Sequence, residues 1–236
     1  MTRVVSWNLH GFVSASGRFS PEPVLRVLER LAPDVVALQE VEDREWQGIP
    51  ALDWLANRGG WQAWAGPTLM RGDARYGNAV MSRTPAISLR RHALTVARGS
   101  EPRGLLDVEF PHGDGSLRVM ATHLGLRRGD RWRQVDEILS IAGTAEPGRI
   151  DLLAGDFNEW LPGSRLLSPL EAAFEACSTG RTFPARWPLL ALDRIYMRPV
   201  RLLRGFQVER LPGGESDHLP VVGTLTVSAP QTKQVW

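Results

Sequence analysis

The sequence predicts an α/β protein in which mixed β-sheets pack face to face with helices outside. Three observations lead there. Short runs rich in Val, Ile and Leu recur from end to end, which is strand rather than helix character. Helical patterns separate these runs in the first third, and strands then follow one another directly, as in sheets with both parallel and antiparallel neighbours. The 23 Gly and 17 Pro among 236 residues exceed the usual ~12% share and mark many short elements.

Taken in order, the first strand falls at 3–7. A helix follows at 21–31, with Ser20 as N-cap and Val24, Leu25, Val27, Leu28 and Leu31 as its apolar stripe. Strands at 34–38 and 78–81 flank a weaker helical pattern at 50–58. Strands at 105–110 and 117–122 precede a helix at 130–142 that carries Trp132, Val135, Ile138, Leu139 and Ala142. A strand at 150–154, a weak helix at 164–176 and strands at 192–197 and 219–227 complete the set. No linker divides the chain, so residues 1–227 read as one domain and 228–236 as a loose tail.

Composition excludes several classes. Hydrophobic residues are 43% and charged residues 23%, which is neither disordered nor collagen-like. No stretch approaches ~18 consecutive apolar residues, so no integral membrane association is expected. There is no basic start leading into a long apolar run. A lone cysteine, Cys177, cannot form an internal disulfide. A cytoplasmic location is the expectation. Of 28 Lys and Arg residues only Lys233 is a lysine. Arg suits phosphate through its planar fork, but a net charge of +2 does not itself imply nucleic acid.

The polar residues at strand ends carry the functional information. VVSWN ends with Asn8 and leads to His10; DVVALQE ends in Gln39 and Glu40; LRVMATH in His123; DLLAGDFN in Asp156 and Asn158. Tyr76 and Asn78, Asp193, and Asp217 with His218 open strands instead. Antiparallel neighbours bring strand starts and strand ends to one rim, where layered α/β folds place ligands. Singly, each has an ordinary explanation, since a strand-end Asn or Asp is usually a turn residue. As a set they suit a hard, oxygen-ligated cation such as Mg2+ or Mn2+. HExxH, CxxC, Walker A, GxGxxG and GxSxG patterns are absent from the sequence. A metal, two imidazoles and neutral amides fit hydrolysis of a phosphate ester.

In this order, NLHG, LQE, GNAVMSRTP, ATHL, GDFN, LDRI and SDHLP resemble the endonuclease/exonuclease/phosphatase family, from about residue 4 to 227. GDFN followed by a terminal SDH is the specific part. The resemblance implies a deoxyribonuclease I-like four-layer α/β/β/α sandwich of two mixed β-sheets flanked by helices. It implies that Glu40 binds the catalytic Mg2+, with Asn8 and Asp217 beside it. It makes Asp156 the group that positions and deprotonates water, and Asn158 the amide that holds the phosphate. His218 contacts the scissile phosphate, Asp193 orients it, and His123 faces the phosphate as well. Asn78 and Arg103 fall at site-lining positions. The implied activity is a Mg2+-dependent phosphodiesterase or nuclease-type hydrolase, with Mn2+ as possible substitute and direct attack by water.

Substrate is less legible, because family members differ in their loops. A phosphate-ester substrate is expected, possibly nucleic acid, with no obligate protein partner. Arg71, Arg75, Arg103, Arg127, Arg128, Arg131 and Arg133 are candidate phosphate contacts, although Arg131 and Arg133 also read as the wet face of their helix. Trp46, Trp54, Trp61 and Trp64 read as packing under loops. Trp160 and Trp187 are better placed for substrate contact. The alternatives are a phosphomonoesterase or phospholipid phosphodiesterase of the same family, or a catalytically dead nucleic-acid or protein-binding module. The intact polar set argues against the last.

Overall fold

The computed structural model describes residues 1–161, 163–211 and 214–226; the expected tail at 228–236 lies outside them. In chain order the elements are β1 (Thr2–Asn8), α1 (Glu22–Leu31), β2 (Val35–Asp43), β3 (Glu45–Trp46), β4 (Ile49–Pro50), α2 (Ala51–Gly59), β5 (Gln62–Arg71), β6 (Ala74–Ser82), β7 (Ser88–Leu94), β8 (Arg103–His112) and β9 (Gly115–His123). They continue with α3 (Arg128–Ala142), β10 (Arg149–Asp156), α4 (Ser168–Ala173), β11 (Ala176–Cys177), β12 (Asp193–Arg198), β13 (Leu203–Val208) and β14 (Val221–Leu225).

Two six-stranded mixed sheets result. One runs β13-β14-β1-β2-β6-β5 and the other β11-β12-β10-β9-β8-β7. Each has a single parallel pair at its centre, β1 with β2 and β9 with β10, joined by a crossover helix, α1 or α3. The other pairings are antiparallel. Burial follows from this arrangement in three layers. Val5, Trp7, Val36 and Leu38 pack under α1 and α2. Val4, Ala37, Val80, Val119, Leu152 and Ile195 fill the space between the sheets. Met120, Leu153 and Tyr196 pack under α3 and α4. Alternate residues of one strand therefore serve two layers, which gives the four-layer α/β/β/α sandwich.

All eight expected strands form, most with longer bounds; residue 227 of the last lies outside the described residues. The final strand is shorter at its start, because Leu219 and Pro220 precede it. The apolar runs do not predict β5, β7 or β13, nor the two-residue strands β3, β4 and β11. The first three lie at or next to sheet edges, and their half-exposed patterns lack the apolar runs of central strands. The helix expected at 164–176 shrinks to α4, six residues with Pro169 in its first turn. The N-cap of α1 is Pro21, one residue after Ser20, whose Oγ accepts the Glu22 N–H at 3.3 Å.

The stripe of α3 also differs from expectation. Trp132 is 37% exposed, while Asp130, Arg131 and Gln134 are buried. Arg131 donates to Glu159 Oε2 at 3.1 Å and to the carbonyls of Gly125 and Leu126. It is neither a wet helix face nor a free phosphate contact, because its donors are already engaged inside the protein. The far end of α3 is closed from the sheet below. Arg118 donates to the carbonyls of Ile141 and Ala142, and Arg198 to those of Ala142 and Gly143. These cations meet the negative end of the helix dipole.

Candidate active site

The rim shared by the two sheets gathers the polar strand ends. Asn8 ends β1, His123 ends β9 and Asp156 ends β10. Asp193 opens β12, which runs antiparallel to β10 and pairs Asp193 directly with Asp156. His218 precedes β14, which is antiparallel to β1; its backbone carbonyl accepts from Trp7 Nε1 at 2.9 Å.

Glu40 arrives by a different device. The pairing of β2 with β6 shifts between Leu38 and Val41, so Gln39 and Glu40 form a bulge. Glu40 has φ +52°, a left-handed conformation uncommon outside glycine. A bulge of this kind re-aims a side chain. Val36 and Leu38 share a core layer with Val41, so side-chain alternation changes phase across the bulge. His10 (φ +49°) and Asn158 (φ +50°) are also left-handed, so backbone strain concentrates at this rim.

One carboxylate is the hub. Asp156 Oδ2 accepts from Asn8 Nδ2 at 3.1 Å and lies 3.7 Å from His123 Nε2 and 3.8 Å from His218 Nε2. Its Oδ1 accepts the Asn158 N–H at 2.9 Å. Burial, and then the nearby Asp193 carboxylate, raise its pKa against the pull of His123 and His218. Asn8 Nδ2 also donates to Glu40 Oε1 at 3.1 Å, tying the two acids together. Burial opposes ionisation of Glu40, but His123, Asn8 and Tyr76 outweigh it and its pKa is lowered.

The two histidines differ. His218 Nδ1 lies 2.8 Å from Asp193 Oδ2. Burial disfavours its charge, but the Asp193 carboxylate prevails and the pKa rises to about 10, so the ring is an imidazolium at neutral pH. His123 lacks such a partner, and burial lowers its pKa despite Asp156. Asn158 Nδ2 meets His123 Nε2 at 3.0 Å. An amide nitrogen only donates, so Nε2 accepts and Nδ1 carries the ring proton.

The structure thus brings Asn8, Glu40, His123, Asp156, Asn158, Asp193 and His218 into one network. Asp217 joins across His10, whose Nδ1 lies 3.5 Å from Asp217 Oδ2 and 3.9 Å from Glu40 Oε2. Asn78 and Arg103 line the hollow below, with Glu40, Tyr76 and His123. The Asn78 amide donates to the Gly104 and Ala121 carbonyls, so it ties one sheet to the other. Trp160 stands on the rim 43% exposed, under the Arg131 guanidinium, and Trp187 is 71% exposed. Phe183, in the same hairpin as Trp187, lies 4.8 Å from the His218 ring, centre to centre. Trp54 and Trp61 are buried in the core layer under α1 and α2, and Trp46 packs against that layer beside Phe19; Trp64 meets Phe110 between the sheets.

Two participants carried no role in the sequence reading. Tyr76 is 2% exposed and its hydroxyl hydrogen-bonds Glu40. The Arg71 guanidinium lies 3.5 Å from its ring centre. His10 sits between two carboxylates. Both belonged to the polar residues at strand ends, but nothing in sequence spacing tells which such residue reaches the hub.

The donor set fits a hard divalent ion. Glu40 and Asp217 offer carboxylate oxygens on either side of His10, and Asp217 Oδ1 is buried without a hydrogen-bond partner. Among the described residues, Asp156, Asp193 and His218 also place ligand atoms within 4.8 Å of one another. In that group His218 Nδ1 is already committed to Asp193.

Comparison with known proteins agrees with this geometry. The family model for the endonuclease/exonuclease/phosphatase family matches residues 5–218. The uncharacterized protein YbhP of Escherichia coli K12 is 30% identical over 215 residues, covering 83% of this chain and 84% of its own. A crystal structure of an endonuclease/exonuclease/phosphatase from Beutenbergia cavernae aligns with a TM-score of 0.78 at 25% identity, over 96% of this chain and 71% of that one. D. rerio TDP2, solved with a single-strand DNA product, gives 0.73 at 18% identity over 96% and 99% of the two chains. That last likeness is one of fold.

Proposed function

The chain belongs to the endonuclease/exonuclease/phosphatase family of nuclease- and phosphatase-type hydrolases, and from that premise we propose that it is a Mg2+-dependent phosphodiesterase that hydrolyses its ester by direct attack of water. The observation that carries the reading is the hub. Asp156, with a raised pKa, is ringed by an amide, a neutral imidazole and an imidazolium, while Glu40 and Asp217 supply oxygen ligands alongside.

Asp156 holds the water and takes its proton as the new P–O bond forms, and the ester oxygen leaves on the opposite side of phosphorus. His218, kept charged by Asp193, faces the negative phosphoryl oxygens. His123, held by Asn158, presents a neutral ring beside them, so this wall adds no anion against the substrate. Glu40, Asn8 and Asp217 are the residues that would hold a divalent ion, which would supply further charge neutralisation at the phosphoryl group when bound.

We read residues 1–227 as one catalytic unit. No helix among the described residues is long and apolar enough to cross a membrane, and the lone Cys177 accords with a cytoplasmic site of action. Exposed Trp160 and Trp187, with exposed Arg127, Arg128 and Arg133, favour a nucleic-acid or nucleotide ester, through stacking and phosphate contact.

The test is a substrate panel with Mg2+: plasmid DNA, single-stranded RNA, bis-p-nitrophenyl phosphate, lysophospholipids and inositol phosphates. Chelator-sensitive turnover of a diester is expected. Turnover of monoesters alone would make the protein a phosphomonoesterase, and no turnover of any compound would overturn the hydrolase reading.

A further inference from the structure

Beside the reaction centre lies a groove of about 290 Å3, between β5 and the β7–β8 pair. Thr68, Arg91, His92 and Arg103 line it, and the side chains of Leu105 and Leu106 beneath it are buried in the core. Thr68, Arg103 and Gly104 also line the hollow where Glu40, Tyr76 and His123 meet. Groove and reaction centre therefore adjoin across the Arg103 guanidinium.

The groove is built for an anion. Arg103 is 8% exposed, one terminal nitrogen is held by Glu101, and its Nε is buried with no hydrogen-bond partner. His92 contributes no donor to the groove, because its Nε2 faces Asp107 Oδ2 at 3.8 Å on the opposite face of β7 from Arg91. Arg91 anchors its Nε on the Ala65 carbonyl at 2.7 Å, and its terminal nitrogens make no hydrogen bond among the described residues. Buried donors without partners are costly, and guanidinium forks match phosphate oxygens. Among the described residues, no Asp or Glu lines the groove. By contrast, the cavity of about 450 Å3 beside β3 and β4 is lined by Asp43, Glu45 and Asp73 as well as Arg44 and Arg71.

We propose that this groove receives a second phosphate of the substrate, covalently linked to the scissile one, so that the protein selects substrates carrying at least two phosphates. The inference rests on the phosphate-ester reading of the site. The second phosphate has two chemical sources, the next phosphate along a nucleic-acid strand and the second phosphate of a small bisphosphate.

Arg91 lies outside the hub network, so Arg91→Ala is the probe, with Arg91→Gln as a second variant that keeps the length of the side chain and removes its charge. The readout is a ratio: kcat/KM on a two-phosphate substrate divided by kcat/KM on bis-p-nitrophenyl phosphate, which carries a single phosphate. For a 5′-phosphorylated thymidine dinucleotide the ratio should fall about tenfold in each variant, the loss of one charge-assisted contact. A fall for inositol 1,4-bisphosphate instead assigns the groove to small bisphosphates. Unchanged ratios for both compounds overturn the proposal. Calorimetric titration of the dinucleotide and of inositol 1,4-bisphosphate into wild type and variants separates this result from a failure of hydrolysis. Binding of either compound weakened about tenfold in the variants supports the groove even without turnover, and equal or absent binding of both overturns it.

Discussion

Two aspartates on one strand, β10, sit five residues apart and do opposite things. Asp151 pairs across the sheet with Arg118 on one side and Arg198 on the other; Asp156 pairs with His123 and Asp193. Arg198 and Arg149 donate to the two oxygens of Asp151 at 2.8 and 2.7 Å. The neighbouring Asp107 takes a bidentate contact from Arg118. Both of these buried carboxylates are matched by guanidinium, and the spare guanidinium donors close helix α3. At the other end no arginine touches Asp156. Its partners are amides and imidazoles, and a second carboxylate raises its pKa. The first end stores stability. The second holds an acid that burial and a like charge have made more basic, which is how functional sites are commonly arranged.

The sharpest way to break this contrast is to neutralise each aspartate in turn. Asp156→Asn should lower metal-dependent turnover roughly 10²–10⁴-fold, the usual worth of a general base. It should leave the thermal midpoint equal or higher, because an ionised group with a raised pKa opposes folding. Retention of more than a few per cent of activity removes Asp156 as the base. Asp151→Asn should do the reverse, costing about 3–5 kcal/mol by stranding buried arginines while folded protein keeps its kcat. Chemical denaturation together with active-site titration reads both effects.

A pH experiment sharpens the comparison from the His218 side. The charge on His218, and the stability it carries, are complete below the ordinary value of ~6.5 and are lost as pH rises through about 10. Asp193→Asn should bring that loss down towards neutrality. The alkaline limb of kcat/KM would then move to lower pH by one or more units while Mg2+ dependence persists. An unmoved limb would show that His218 charge does not govern it. Gly155→Ala comes next in size. A Cβ there would lie 1.9 Å from the Thr122 carbonyl oxygen, wedging β9 from β10 beside His123 and Asp156. A loss of about 1–3 kcal/mol is expected, with a larger proportional loss of activity than Asp151→Asn causes. The smallest effect belongs to Trp187→Ala, which should alter stability by no more than about 0.5 kcal/mol and raise KM for a nucleotide ester several-fold. An unchanged KM removes Trp187 from the substrate surface.

What the sequence reveals follows from the same contrast. Central strands announce themselves by apolar runs, so all eight expected strands form. Edge strands such as β7, with Arg90 and Arg91 in their middle, do not. The polar ends of strands are equally visible, and alternation of direction is enough to send Asn8, His123, Asp156 and Asp193 to one rim. The sequence cannot say which cations are spoken for. Arg131 and Arg133 look alike, two positions apart on α3, yet one is buried against Glu159 and the other is exposed. Nor does spacing show that Tyr76 leans on Glu40, since that contact depends on the bulge in β2.

That bulge has a consequence for how this chain can change. Removing one residue at 39 or 40 would restore an unbroken zigzag to β2, with Val41 still beside Val36 and Leu38 and still opposite Gly77, while the carboxylate is withdrawn. The extra residue therefore serves the acid and not the packing, so a one-residue shortening here would leave the sheet closed and its chemistry gone.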